Sequence, residues 1–253
     1  DFINPSGQLV AVNITTQELL GTTWDLGGQP DSIAVSPDGN YAVIAIENER
    51  DEDLGDGAPP QLPEGFVVIV DTSDADPNNW TTSQVTLTGL AGVAFPEDPE
   101  PEFVDISENN IAAVTLQENN AIVLIDLATG TVINSFSAGT VDLTGIDTEE
   151  EDPAIIDQTS SLTAVPREPD GITFIGTDYI ATADEGDLDG GSRGFTIFDL
   201  DGNVVFTSGN TMDQLTAQFG HYPDSRSGNK GNEPENIEFA TYDGTDYLFV
   251  NSE

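Results

Sequence analysis

Short β-branched and aromatic runs, bounded by Pro, Gly, Asn and Asp, alternate along this chain with polar turns. Such runs predict strands. One kind opens on a proline and an acid: Pro30-Asp31, Pro101-Glu102, Pro169-Asp170 and Pro234-Glu235, running on to Val35, Ile106, Phe174 and Phe239. A second kind is almost continuously apolar. It starts at Tyr41, Ile111, Tyr179 and Tyr247 and closes at Glu47, Gln117, Glu185 and Glu253. A third kind, Phe66 to Asp71, Ala121 to Asp126 and Gly194 to Asp199, ends each time on an aspartate, where Asx-turn chemistry accounts for it. A fourth follows, for example Thr131 to Ser135 and Asn203 to Ser208. Helical periodicity is confined to one short candidate, Thr211 to Phe219.

The pattern is also periodic on a longer scale. The acid after the proline recurs at positions 31, 102, 170 and 235, in steps of 71, 68 and 65 residues. Four strands in each tandem unit of ~40 residues or more is the signature of β-propeller blades. The expected fold is therefore all-β, a propeller with four-stranded blades. Residues 31–101, 102–169 and 170–234 each make one blade. Residues 1–30 supply the end of a preceding blade, through strands from Gln8 to Ile14 and Glu18 to Trp24, and residues 235–253 the start of the next. This gives sixteen strands, about four blades' worth. An apolar blade edge left open at the last strand predicts that they are part of a larger propeller. The extra length of the units falls in acidic loops such as Glu49 to Pro63 and Asp142 to Gln158. Tyr41, Tyr179, Tyr247, Trp24 and Trp80 are expected as packing residues.

Composition adds one unusual property. The 253 residues carry 47 Asp plus Glu against 5 Lys plus Arg, a formal net charge of −42. That field repels phosphate backbones and anionic membrane surfaces, so nucleic acid is not an expected partner. No apolar run reaches membrane-spanning length. The folded chain also repels itself, and bound divalent cations, ambient salt or both must relieve it. Cysteine is absent, which removes disulfides and thiolate chemistry. A single histidine, His221, cannot build a zinc site of two His. Without a Gly-x-Ser-x-Gly elbow, serine catalysis would rest on His221 alone, which reads as a loop residue. Asn13-Ile14-Thr15 and Asn79-Trp80-Thr81 are glycosylation sequons.

The run Gln117-Glu118-Asn119-Asn120-Ala121-Ile122, with Ile125-Asp126-Leu127-Ala128-Thr129-Gly130 after it, resembles the choice-of-anchor I domain proteins. So do Arg167-Glu168-Pro169-Asp170-Gly171-Ile172, Ala183-Asp184-Glu185-Gly186-Asp187, Asp224-Ser225-Arg226-Ser227 and Glu233-Pro234-Glu235-Asn236. The resemblance spans nearly the whole chain. It implies a secreted or surface-anchored propeller that binds calcium, extracellular or at the cell surface. The group includes mesenchyme-specific cell-surface glycoproteins and surface proteins described as atypical alkaline phosphatases. Two functions follow: a calcium-dependent structural or adhesive module, or a metal-dependent phosphoesterase. The resemblance supplies no catalytic residue.

The candidate site follows from antiparallel pairing. The end of each second strand lies beside the start of the first, so Asp31, Glu102, Asp170 and Glu235 should share one face with Glu47, Glu118, Glu185 and Glu253. Asp184 and Asp187 extend the group, in a loop whose glycines permit tight wrapping. Hard oxygen ligands suit Ca²⁺. The competing reading is that Pro-acid pairs merely cap strand entrances and repeat through duplication. Asp51 to Gly57 is dense in acids but lacks EF-hand spacing and reads as a solvated loop. The five cations flank the repeated acids. Arg50 and Arg193 read as ion-pair partners. Arg167, Arg226 and Lys230 are the candidates for holding phosphate or a phosphoester beside the metal.

Overall fold

A computed structural model of the chain describes residues 2–252, and their regular elements are almost all antiparallel strands. Strands β1 (Gln8–Asn13) and β2 (Glu18–Asp25) form a hairpin. Strands β3 (Pro30–Val35), β4 (Tyr41–Ile46), β5 (Phe66–Asp71) and β6 (Thr81–Thr86) form a four-stranded sheet in chain order. The next sheet is β7 (Pro101–Ile106), β8 (Ile111–Leu116), β9 (Ala121–Asp126) and β10 (Thr131–Ser137). A second hairpin, β11 (Thr140–Ile146) and β12 (Ser160–Pro166), precedes the third sheet. That sheet is β13 (Ile172–Ile175), β14 (Tyr179–Asp184), β15 (Gly194–Asp199) and β16 (Val204–Thr207). Helix α1 (Thr211–Phe219) and the hairpin β17 (Pro234–Tyr242) and β18 (Thr245–Ser252) complete the order.

The three four-stranded sheets and the helix stand where the sequence pattern puts them. One element corrects it. Part of the Asp142 to Gln158 segment is strand, so the described residues hold eighteen strands rather than sixteen. Along β11, Val141, Leu143 and Ile146 turn inward against Leu162 and Val165 of β12 and make a small core of their own. The acids that follow Ile146 mask this alternation in the sequence.

Side chains alternate across a strand, so each central strand feeds two cores. From the first sheet, Val43, Val67 and Ile69 pack against Val104, Val114 and Val123 of the second. The opposite side of the first sheet, through Ala42, Ile44 and Val68, packs toward Leu26 beside the first hairpin. The second sheet meets the third through Ile122, Leu124, Phe174 and Phe198. The third meets the last hairpin through Ala181, Ala183 and Ile237. Sheets thus follow one another face to face in chain order, with β3, β7, β13 and β17 adjacent in turn. Polar bonds stitch these seams: Ser32 Oγ donates to the Glu102 carbonyl at 2.5 Å, and Thr115 Oγ1 donates to the Asp170 carbonyl at 2.7 Å. Trp24 and Trp80 stack with ring centroids 5.4 Å apart, and Tyr41 packs against the first core. Tyr179 and Tyr247 are exposed, and Tyr247 packs at the surface, stacked on Phe249 with ring centroids 6.1 Å apart.

Candidate metal centre

The adjacent first strands begin at one end of the sheets, and the acids collect there. Pro30 pairs with Ile46, which brings the start of β3 against the end of β4. Strand β7 then lies beside β3. As a result Asp31, Glu47 and Glu102 each place a carboxylate oxygen within 4.8 Å of the others. Asp170, Glu185 and Glu235 do the same two units later. There the Gly171 amide donates to the Glu235 carbonyl at 3.0 Å across the corresponding seam. Each group therefore takes two acids from one repeat and the third from the next.

These carboxyls are held in an environment hostile to charge. Burial, followed by the charges of Glu118, Asp31 and Glu49, pushes Glu47 up to about 8. Burial, then Glu185 and Glu235, pushes Asp170 up to about 8. Glu102 is raised well above the ordinary range by burial and by Glu118, Glu47, Asp31 and Asp170. A nearby cation reverses each of these shifts.

Glu118 sits deepest. It is 4 % exposed and lines the same cleft, of about 310 Å³, as Asp31, Glu47 and Glu102. Its Oε1 accepts from Arg50 Nη1 at 2.6 Å, whereas its Oε2 is buried without a hydrogen-bond partner. Arg50 also donates to Glu100 at 3.2 Å, to Asp187 and to the Gly57 carbonyl at 2.8 Å. Glu100 and the hub it forms with Arg50 escaped the sequence reading. The signal was the acidic run Glu97, Asp98 and Glu100 just before Pro101. Asn119 fixes that run, accepting from the Glu100 amide at 2.8 Å and donating to the Asp98 carbonyl at 2.9 Å.

The remaining candidates divide. Glu185 accepts from Gln117 Nε2 at 2.8 Å and from Lys230 Nζ at 2.9 Å, and Asp187 lies 3.7 Å from Lys230. Asp184 is not brought to the acidic groups. It is fully buried and accepts from Thr182, Ser192 and Thr196 at 2.6–2.7 Å, with Arg167 3.9 Å away. Arg167 is buried as well. It donates to Thr196 Oγ1 and to the carbonyls of Ala138 and Thr140, and its guanidinium carbon lies 5.9 Å from the Phe198 ring centroid. Nothing in its spacing from Asp170 revealed that destination. Arg226 pairs with Glu233, and Lys230 is 3.8 Å from the same carboxylate. Arg193, expected as an ion-pair partner, is fully buried and 3.7 Å from Asp213. The Asp51 to Gly57 loop contributes no carboxylate to either acidic group, and Glu253 lies outside the described residues. His221 is exposed just after α1.

Both acidic groups offer oxygen donors alone. A hard cation such as Ca²⁺ takes six to eight oxygens at ~2.3–2.6 Å and tolerates irregular geometry, so the donor chemistry fits. Zinc, which favours nitrogen and sulfur in a tetrahedral set, fits less well.

Comparisons with known proteins address the lineage. No curated protein matches the chain. Among solved structures, a chain of the Kuenenia stuttgartiensis hydrazine synthase is similar at 16 % identity and a TM-score of 0.49, over 79 % of this chain and 42 % of that one. A functionally unknown protein of Desulfotomaculum acetoxidans is similar at 13 % identity and a TM-score of 0.42, over 97 % of this chain and 69 % of that one. This chain thus spans less than half the length of the hydrazine synthase chain. No helix among the described residues is long and apolar enough to cross a membrane. The Choice-of-anchor I domain, a description that implies a cell-surface or extracellular protein, matches residues 4–190 and 188–253. The chain belongs to the choice-of-anchor I domain family.

Proposed function

We propose that this chain is a cell-surface β-propeller module, its sheets the blades, that binds calcium on its acidic face and serves a structural or adhesive role. The observation that carries this reading is the pair of carboxylate groups, Asp31–Glu47–Glu102 and Asp170–Glu185–Glu235, each drawn from both sides of a sheet-to-sheet seam. When bound, a divalent cation supplies positive charge shared between neighbouring sheets. The chain's own residues do the rest. Asp31 and Glu47 present oxygens from one sheet and Glu102 from the next. Glu118 adds a buried oxygen with no other partner. Ser32 and Thr115 hold the seams in register through their bonds to the Glu102 and Asp170 carbonyls.

Each site saturated at 100 times its dissociation constant adds about 2.7 kcal/mol to stability. In a domain of this size that raises Tm by about 5–10 °C. Thermal melts in calcium and in chelator, at matched ionic strength, are expected to differ by this amount for each site occupied. The paired substitution Glu102→Gln and Glu235→Gln should remove most of the difference. Superimposable wild-type melts would refute calcium binding and leave salt adaptation as the role of the acids.

The phosphoesterase alternative has less support. Arg167 spends its donors on Thr196 and backbone carbonyls in the interior, while Lys230 and Arg226 face Glu185 and Glu233.

A further inference from the structure

The connection between β11 and β12 touches a short 3-10 turn, Asp224–Arg226, that follows α1, and brings the Glu151 carboxyl near enough to feel the charge of Asp224. The Glu151 amide donates to Asp224 Oδ2 at 3.2 Å, which sets the two residues against each other. Asp224 is only 8 % exposed, yet its second oxygen, Oδ1, has no hydrogen-bond partner. Glu151 Oε2 is likewise shut away from solvent without a partner. Asp147, 1 % exposed, also acts on Glu151 through its charge. Its two oxygens accept from the amides of Glu149 at 3.1 Å and Asp157 at 2.7 Å. Each carboxylate oxygen has two lone pairs, so capacity remains.

The two arginines nearby are committed to other groups. Arg193 Nη1 donates to the Asp147 backbone carbonyl at 2.6 Å, and its guanidinium faces the Asp213 carboxylate. Arg226, in the same turn as Asp224, pairs with Glu233. A buried anionic oxygen left without a donor is costly, and two such oxygens on adjoining residues compound the cost. A water could donate to both but would leave their charges uncompensated. A hard divalent cation satisfies the oxygens and the charge together.

We propose that Asp224 and Glu151 hold a divalent cation of the calcium type that pins the β11–β12 connection to the turn after α1. This site shares no residue with the two acidic groups described above and stands whether or not they bind metal.

Native mass spectrometry of the intact chain, titrated with calcium chloride, tests it by counting bound ions. The paired substitution Glu151→Gln and Asp224→Asn keeps the size of both side chains and an acceptor for the Glu151 amide. It is expected to hold one calcium fewer than wild type. The Glu102→Gln and Glu235→Gln pair is expected to retain that ion. In chelator, the Glu151→Gln and Asp224→Asn protein should melt at or above the wild-type temperature, because an uncompensated repulsion is gone. An unchanged ion count would overturn the proposal. So would a lower melting temperature in chelator, which would show that the carboxylates stabilise the fold without a cation.

Discussion

Replacing Arg50 with methionine is expected to lower the free energy of unfolding by about 3–5 kcal/mol once the pH is above about 9, where Glu100 and Glu118 are both ionised, the range for breaking a buried ion pair by removing one partner. Arg50 is 5 % exposed and donates to Glu100 and Glu118, which are 1 % and 4 % exposed. Each already has one carboxylate oxygen buried without a partner. Methionine would preserve the packing of the arginine stem and delete only the charge and donors, leaving two facing acids unopposed. Urea unfolding of the variant and of a triple variant that also carries Glu100→Gln and Glu118→Gln would isolate the charge effect. The triple variant should recover much of the loss. A cost below about 1 kcal/mol, the worth of an exposed pair, would show that Arg50 is not the centre of this network.

In chelator, stability should rise as pH falls from about 9 to about 5, the reverse of the usual acid behaviour of carboxylates. The sign follows from proton counting. A carboxyl whose folded pKa exceeds its unfolded value binds more protons when folded, so stability is lost as pH climbs through that window. Burial raises Glu100 to about 9, Glu47 and Asp170 to about 8, and Glu118 to about 7, each with neighbouring charges acting after burial. Their ordinary values are 4.5 for Glu and 3.8 for Asp. The combined effect should reach a few kcal/mol across the window, allowing for the coupling among neighbours. Calcium at saturation should flatten or invert the profile, because metal and protons compete for the same oxygens. Urea midpoints measured at each pH, with and without calcium, would show this. A chelated protein whose stability rises steadily with pH would contradict the crowding of acids described here.

Local pairing was legible in the sequence, and contact between sheets was not. Asp31 and Glu47 could be placed together because a strand start and the next strand's end must meet in an antiparallel pair. That Glu102 and Glu235 complete the groups of the preceding repeats depends on β7 lying beside β3 and β17 beside β13, which no spacing encodes. Asp184 misled for a related reason. It precedes Glu185 by one residue, and along a strand that step sends the side chain to the opposite face, here into a nest of threonine and serine hydroxyls. Arg167 was misplaced because its long side chain can reach carbonyls 27 and 29 residues away in sequence as easily as the acid three positions on. The β11–β12 hairpin was hidden by composition, since the acids between its strands resemble a solvated loop.

The inward placement of four of the five cations also determines how copies of the molecule meet. The side chains of Arg50, Arg167 and Arg193 are 6, 6 and 1 % exposed, and Lys230 only 21 %, which leaves Arg226 at 46 % as the most open. The exterior is therefore almost entirely of one sign. In dilute buffer such particles should repel one another as charged colloids do, over a range set by the ~10 Å screening length of 0.1 M salt. Light scattering should give a strongly positive second virial coefficient that falls as salt is added. Close association between copies then requires an ion shared by carboxylates of both, so dissolved cations, rather than any change of shape, would govern whether this surface spreads apart or gathers into layers.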